Sequence, residues 1–157
     1  MTEQPLDYQA IKKDILNTLA RAADAPAAMD LVVAKLSNKI PYYDWVGIYL
    51  VEGDILVLGP YRGAPSPHTK IPIGEGICGA AAAARETIIV PNVNADSRYL
   101  ACSIKTKAEV VVPIMDGAVC LGEIDIDSHT PNAFTPQDRE LLEDIATALA
   151  RVLKQAQ

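Results

Sequence analysis

Apolar residues recur along this chain with two different periods. Stripes with helical spacing run over residues 8–19, 29–40 and 141–152, and the intervening chain alternates between apolar and polar residues as strands do. The strand-like segments cover residues 44–51, 54–61, 68–73, 87–91, 110–114 and 119–127. An alanine-rich stretch over residues 77–85 predicts one further short helix. The pattern thus predicts two helices, a strand-rich middle and a closing helix.

Turn residues indicate how the strands connect. Glu52-Gly53 and Asp116-Gly117 each separate two alternating segments, which is typical of antiparallel hairpins. Thr135 and Asp138 are spaced to cap the final helix. We therefore predict an α+β fold, an antiparallel sheet with the N- and C-terminal helices packed on one face and a loop-covered pocket on the other.

Composition narrows the classes of function. A chain of 157 residues suits one domain, and we predict a single domain over residues 1–157. The net charge of −6 argues against nucleic acid or an anionic membrane as partners. No apolar run approaches the ~18 residues of a membrane span, and the first residues do not resemble a secretory signal. We expect a cytoplasmic protein, where three cysteines remain as thiols.

The strand period places aromatic and acidic residues on common faces. Trp45 and Tyr49 share one side of the first strand, with a small Gly47 between them that leaves space, and aliphatic residues fill the other side. Asp125 and Asp127 share a face of the last strand. If these strands are neighbours, and Glu109 begins another beside them, the aromatics and acids line one concavity. The alternative is an exposed sheet face with solvated acids.

The cysteines lie at turn and loop positions. Cys78 begins the short helix, where the helix dipole lowers the pKa of a thiol, and Cys102 follows a polar loop near Arg98 and Lys105, which favour a thiolate. Cys120 is expected on the aliphatic face as a buried small residue. We predict no metal and no cofactor, because a site from Asp125, Asp127 and His129 would lack further soft ligands.

Several motifs in order resemble one family. They are Asp44-Trp45-Val46-Gly47-Ile48-Tyr49, Ile71-Pro72-Ile73-Gly74-Glu75-Gly76-Ile77-Cys78-Gly79, Leu100-Ala101-Cys102, Glu109-Val110-Val111-Val112-Pro113 and Gly122-Glu123-Ile124-Asp125-Ile126-Asp127. Together they resemble GAF domains and, more narrowly, the GAF-domain free methionine-(R)-sulfoxide reductases, over nearly the whole chain. The resemblance implies a GAF-like fold and a thiol-dependent oxidoreductase without a cofactor.

The resemblance also implies roles for particular residues. Cys102 matches the catalytic cysteine and Cys78 an auxiliary one. The remaining matches form the substrate pocket, namely Trp45, Tyr49, Glu109, Asp125 and Asp127. The chain departs from the family at His68, where a resolving cysteine usually stands. Either Cys78 or an external thiol must therefore resolve Cys102.

These residues suit the reduction of free L-methionine (R)-S-oxide. An acid protonates the sulfoxide oxygen, a thiolate attacks the sulfur, and a disulfide is later reduced by a thioredoxin-like protein. Crowding of Glu109, Asp125 and Asp127 should raise at least one carboxyl pKa. The rival hypothesis is a GAF module that binds a small molecule without turnover. A third option is a homodimer formed through the first and last helices.

Overall fold

The computed structural model describes residues 5–100 and 104–155. The helices are α1 (Tyr8–Ala20), α2 (Ala25–Lys39), α3 (Gly76–Ala84) and α4 (Pro136–Gln155). The strands are β1 (Trp45–Glu52), β2 (Ile55–Arg62), β3 (Lys70–Pro72), β4 (Ile88–Val90), β5 (Ala108–Asp116) and β6 (Val119–Ser128). A 3₁₀ turn, Val93–Ala95, lies in the segment expected to be loop. Among the described residues, no helix is both long and apolar enough to cross a membrane.

The strands form one antiparallel sheet in the order β3-β2-β1-β6-β5-β4. Consecutive strands form the hairpins β1–β2 and β5–β6, and the turns contain Gly53 and Gly117 with positive φ. The last strand then returns beside the first, which places β6 at the centre between β1 and β5. The predicted α+β antiparallel architecture is confirmed, and the strands that carry the aromatics and acids are neighbours.

The larger hydrophobic core lies between one sheet face and helices α1, α2 and α4. Val46 and Ile48 of β1 and Ile124 and Ile126 of β6 are fully buried there. Helix α4 begins at a well-bonded cap, because the buried Asp138 carboxylate accepts hydrogen bonds from the Thr135 N–H and hydroxyl. The predicted packing of the terminal helices on one face is confirmed.

Helix α3 packs on the opposite face, over a second cluster that contains Trp45 and Tyr49. A tight turn holds its start against β3, since the Glu75 N–H donates to the Pro72 carbonyl and the Gly74 N–H donates to the Gly79 carbonyl. A Cβ at Gly79 would lie 2.7 Å from the Pro72 carbonyl oxygen, so only glycine permits this close approach. The helix ends at Arg85, whose φ of 59° is left-handed.

Candidate active site

The register of the sheet brings the predicted site residues onto one face. Trp45 on β1 lies opposite Asp127 on β6, and Asp127 lies opposite Glu109 on β5. Asp125 lies opposite Gly47 on β1. Directly opposed residues have Cβ atoms about 5 Å apart, so their side chains are in reach of one another. The face is a buried site and the alternative of solvated acids is wrong, because Glu109, Asp125 and Asp127 are at most 6% exposed.

Burial keeps these carboxyl groups protonated to a higher pH than carboxyl groups exposed to water. Burial is the largest cause that raises the pKa of Glu109, followed by the charges of Asp125 and Asp127. Burial likewise raises the pKa of Asp125 and of Asp127, and the charge of Asp125 adds to the rise at Asp127. The predicted increase in pKa is confirmed, but desolvation contributes more than crowding of like charges. The site therefore offers carboxylic acids that can donate a proton.

Glu123 is a fourth acid of this face that the sequence analysis did not assign to the site. It lies opposite Tyr49 on β1 and Pro113 on β5, and it is fully buried. Among the described residues, neither of its carboxyl oxygens has a hydrogen-bond partner. Burial, then the charge of Asp125, raises its pKa well above the ordinary value. The signal was available, because the strand period that pairs Asp125 with Asp127 also includes Glu123.

Cys78 lies in the first turn of α3 and points at the acids. The thiol is 4% exposed, and its Sγ is 4.0 Å from Glu109 Oε2. Burial, followed by the charges of Asp125, Glu123 and Glu109, raises its pKa well above the ordinary value. The expectation that the helix dipole lowers this pKa is therefore wrong. A partial charge of about half a unit at a helix N-terminus does not offset desolvation and nearby carboxylates.

A small cavity of about 20 Å³ lies between α3 and the acids of the sheet. Its walls are Tyr49, His68, Ile71, Gly76, Ile77, Cys78, Leu100, Glu109 and Asp125. The Tyr49 hydroxyl donates a hydrogen bond to the His68 carbonyl at 2.7 Å. The Leu100 side chain lies against Gly76, in the space that a Cβ at this position would occupy. A cavity of this volume holds roughly one water. The described residues thus leave less space at this place than a free amino acid occupies.

Cys102, predicted as the nucleophile, lies outside the described residues. Leu100, two positions earlier, lines the cavity. Arg98 forms a two-pronged ion pair with Asp96, with Nε–Oδ1 at 2.9 Å and Nη2–Oδ2 at 2.6 Å. These hydrogen bonds lower the pKa of Asp96 to about 2. The positive charge of Arg98, expected to favour a thiolate at Cys102, is therefore already matched by a carboxylate of its own loop.

The Trp45 indole lies across Gly47 and is not among the residues that line the cavity. A Cβ at Gly47 would be 2.3 Å from Trp45 Cη2, so the space predicted above this glycine is filled by the indole. The ring stacks on Tyr61 with centroids 5.7 Å apart, and Nε1 donates to the Ala64 carbonyl at 3.0 Å. Trp45 is thus held in a fixed orientation at one end of the acidic row.

One lesser expectation, the face on which Cys120 lies, is wrong. Leu121 is an extra residue in β6, because Ile114 pairs with Gly122 whereas Met115 pairs with Cys120. This bulge reverses the alternation, so Cys120 packs, half-buried, against the cluster on the α3 side and not on the aliphatic face. His129 lies 3.6 Å from Asp44 on the surface and does not join the acids.

The chain resembles proteins of one family over most of its length. The GAF-domain family matches residues 13–153. A free methionine-R-sulfoxide reductase of Saccharomyces cerevisiae is 36% identical, covering 90% of this chain and 78% of the relative, and one of Escherichia coli is 30% identical, covering 93% and 88%. The crystal structure of a free methionine-R-sulfoxide reductase from Neisseria meningitidis, in complex with its substrate, is 30% identical, with a TM-score of 0.90 over 99% of this chain and 98% of that chain. The chain therefore belongs to the GAF-domain family, among the free methionine-R-sulfoxide reductases.

Proposed function

We propose that this protein reduces free methionine (R)-sulfoxide to methionine, acting as a single GAF domain in the cytoplasm. The observation that carries the proposal is the row of buried carboxyls with raised pKa beside a thiol and a small cavity. Relatives with the same fold and named for this reaction align along most of the chain.

The acids have two tasks in this reaction. A protonated carboxyl donates to the sulfoxide oxygen, which makes the sulfur electrophilic. An ionised carboxyl binds the substrate ammonium, and the oxygens Asp125 Oδ1 and Asp127 Oδ1, which have no partner among the described residues, are suited to it. A residue within a peptide has no ammonium group, so the site favours the free amino acid. Trp45 and Tyr49 provide apolar surface for the S-methyl group.

Cys102 is the nucleophile in this proposal. Burial raises the pKa of Cys78 and of Cys120, so neither described thiol is suited to the first attack. The Cys102 thiol takes the sulfoxide oxygen, which releases methionine and leaves a sulfenic acid on Cys102. The Cys78 thiol then displaces water from the sulfenic acid and forms the disulfide. A thioredoxin-like dithiol reduces that disulfide to two thiols.

The experiment follows NADPH consumption with thioredoxin and thioredoxin reductase, and methionine formation without them. We expect turnover by the wild type, none by Cys102→Ser, and an unchanged rate for the control Cys120→Ser. Cys78→Ser should form one methionine per chain and lose the thioredoxin-linked rate. N-acetylated methionine sulfoxide, which has no ammonium, should be a poor substrate.

Each other outcome has a defined meaning. Activity of Cys102→Ser would exclude the nucleophile, and a full thioredoxin-linked rate of Cys78→Ser would show that an external thiol resolves the sulfenic acid. A wild-type protein that binds methionine sulfoxide tightly without turnover would favour the alternative function, a GAF module for small-molecule binding. Homodimer formation is a separate proposal that sedimentation of the full chain tests.

A further inference from the structure

We propose that Cys78, Glu109 and Asp125 form a binding site for a divalent cation of the zinc class, and that the bound ion excludes substrate. The competition rests on the proposed function, whereas binding of the ion does not. The ion acts here as an inhibitory ligand and takes no part in the reaction. Its ligands differ from the combination of Asp125, Asp127 and His129 that the sequence patterns disfavoured.

The ligand atoms are close to the spacing that zinc requires. The Cys78 Sγ and one carboxyl oxygen each of Glu109 and Asp125 all lie within 4.8 Å of one another. The Sγ–Oε2 distance to Glu109 is 4.0 Å. In a tetrahedral site the sulfur and oxygen ligands of zinc are about 3.6 Å apart, given bond lengths of about 2.3 and 2.1 Å. A movement of a few tenths of an ångström therefore brings the Cys78 sulfur and the Glu109 oxygen to the spacing of a tetrahedral zinc site.

Unpartnered oxygens at the same place provide a second, independent observation. Asp125 is 4% exposed and lines the cavity, yet its Oδ1 has no hydrogen-bond partner among the described residues. Both carboxyl oxygens of the fully buried Glu123, and Oδ1 of Asp127, share this condition. A buried polar oxygen without a partner is unfavourable, and a cation removes that cost.

The cavity and the donor types select the kind of ligand. A volume of about 20 Å³ admits a single ion or water and is too small for an amino acid. The thiolate disfavours the hard cations Mg²⁺ and Ca²⁺, which prefer oxygen ligands. A single sulfur among carboxylates disfavours Cu⁺, which prefers several soft ligands. Zn²⁺, and Co²⁺ as its spectroscopic substitute, accept this mixed set.

Co²⁺ tests binding directly, because a thiolate ligand gives an intense near-ultraviolet charge-transfer band. The full chain with Cys102→Ser is used so that the loop thiol cannot contribute. We expect the band on titration with CoCl₂, and its loss on addition of ZnCl₂. In the same background, Cys78→Ser should abolish the band, and Glu109→Gln should weaken Zn²⁺ binding at least tenfold by calorimetry. Cys120→Ser, which removes a half-buried thiol outside the cluster, should bind as the parent does.

Competition is measured separately from binding. Saturating free methionine (R)-sulfoxide should weaken Zn²⁺ binding to the Cys102→Ser chain, and Zn²⁺ should raise KM of the wild type without changing kcat. No cobalt band at millimolar CoCl₂, or Zn²⁺ binding by Cys78→Ser within twofold of the parent, would overturn the site. Zn²⁺ binding that methionine (R)-sulfoxide does not affect would overturn the exclusion of substrate. A wild type without turnover that still shows the band would refute the proposed function and leave the ion site standing.

Discussion

Glu123→Gln tests whether the fourth acid is held neutral in the folded protein. Burial and the charge of Asp125 raise the Glu123 pKa, while the unfolded chain loses this proton at about pH 4.3. The folded state therefore retains a proton that the unfolded state has released. Such a group stabilises the folded state most at a pH below its pKa in the unfolded chain. This contribution to the unfolding free energy is lost as the pH rises towards its pKa in the folded state. Stability thus falls with pH by about 1.4 kcal/mol per unit for each retained proton.

The substitution removes one such proton from this balance. A glutamine side chain has nearly the same shape as glutamic acid and stays neutral at every pH, so the unfolding free energy of the variant should fall less steeply than that of the wild type. Between pH 5.5 and 7.5 the difference should grow in favour of the variant, by no more than about 3 kcal/mol. Glu109 and Asp127 have raised pKa values as well, so a residual slope should remain.

Urea denaturation measured at several pH values checks this expectation. The chain has one tryptophan, Trp45, and it is buried at the same face, so its fluorescence reports unfolding. EDTA in the buffer keeps metal ions out of the acid cluster. Glu140→Gln is the matched control, because Glu140 is exposed on α4, and its slope should follow the wild type. A constant difference between Glu123→Gln and wild type across this range would refute the argument that Glu123 is protonated.

Two further substitutions test the packing around the site and the cap of α4. Gly47→Ala should lower the unfolding free energy by about 1–3 kcal/mol and shift the fluorescence emission of Trp45, because the alanine Cβ would lie 2.3 Å from the indole. An unchanged emission spectrum would contradict this prediction. Asp138→Ala should cost about 2–4 kcal/mol in urea denaturation, because it leaves the Tyr42 and Tyr43 hydroxyls without their acceptor at 2.6 and 2.7 Å. Asp24→Ala, which removes an exposed cap of α2, should cost less, and equal losses would contradict the role of the buried hydroxyls.

Alternation along the strands predicted which of the described aromatics and acids share one face of the sheet, with the exception of Glu123. Trp45 and Tyr49 lie on the acid-bearing side because β1 keeps its alternation beside β6. The same rule failed at Cys120, where one extra residue in β6 reverses the faces. A bulge is fixed by pairing with the neighbouring strand, and the period within one strand does not reveal it. The alternation of apolar and polar residues therefore predicts the face of a side chain only where the pairing of its strand contains no bulge.

The pKa of Cys78 shows a different limit. Its position in the first turn of α3 was predicted correctly, and the dipole argument holds for an exposed thiol. The sign of the shift depends on what covers the helix start, and here the acids of β5 and β6 approach from the sheet. Burial is a property of the assembled layers, so the local pattern predicted where the thiol lies but not its charge state.

The number of acids bears on how one site meets two opposite requirements. The sulfoxide oxygen needs a carboxyl that keeps its proton, whereas the ammonium needs one that has lost it. A single buried carboxyl cannot provide both, but neighbouring acids with raised pKa can divide the roles, since ionisation of one raises the pKa of the next. Glu123 is outside the cavity wall and yet acts electrostatically on Cys78. Because burial keeps Glu123 protonated, this effect on the Cys78 pKa arises only at a pH high enough to ionise Glu123.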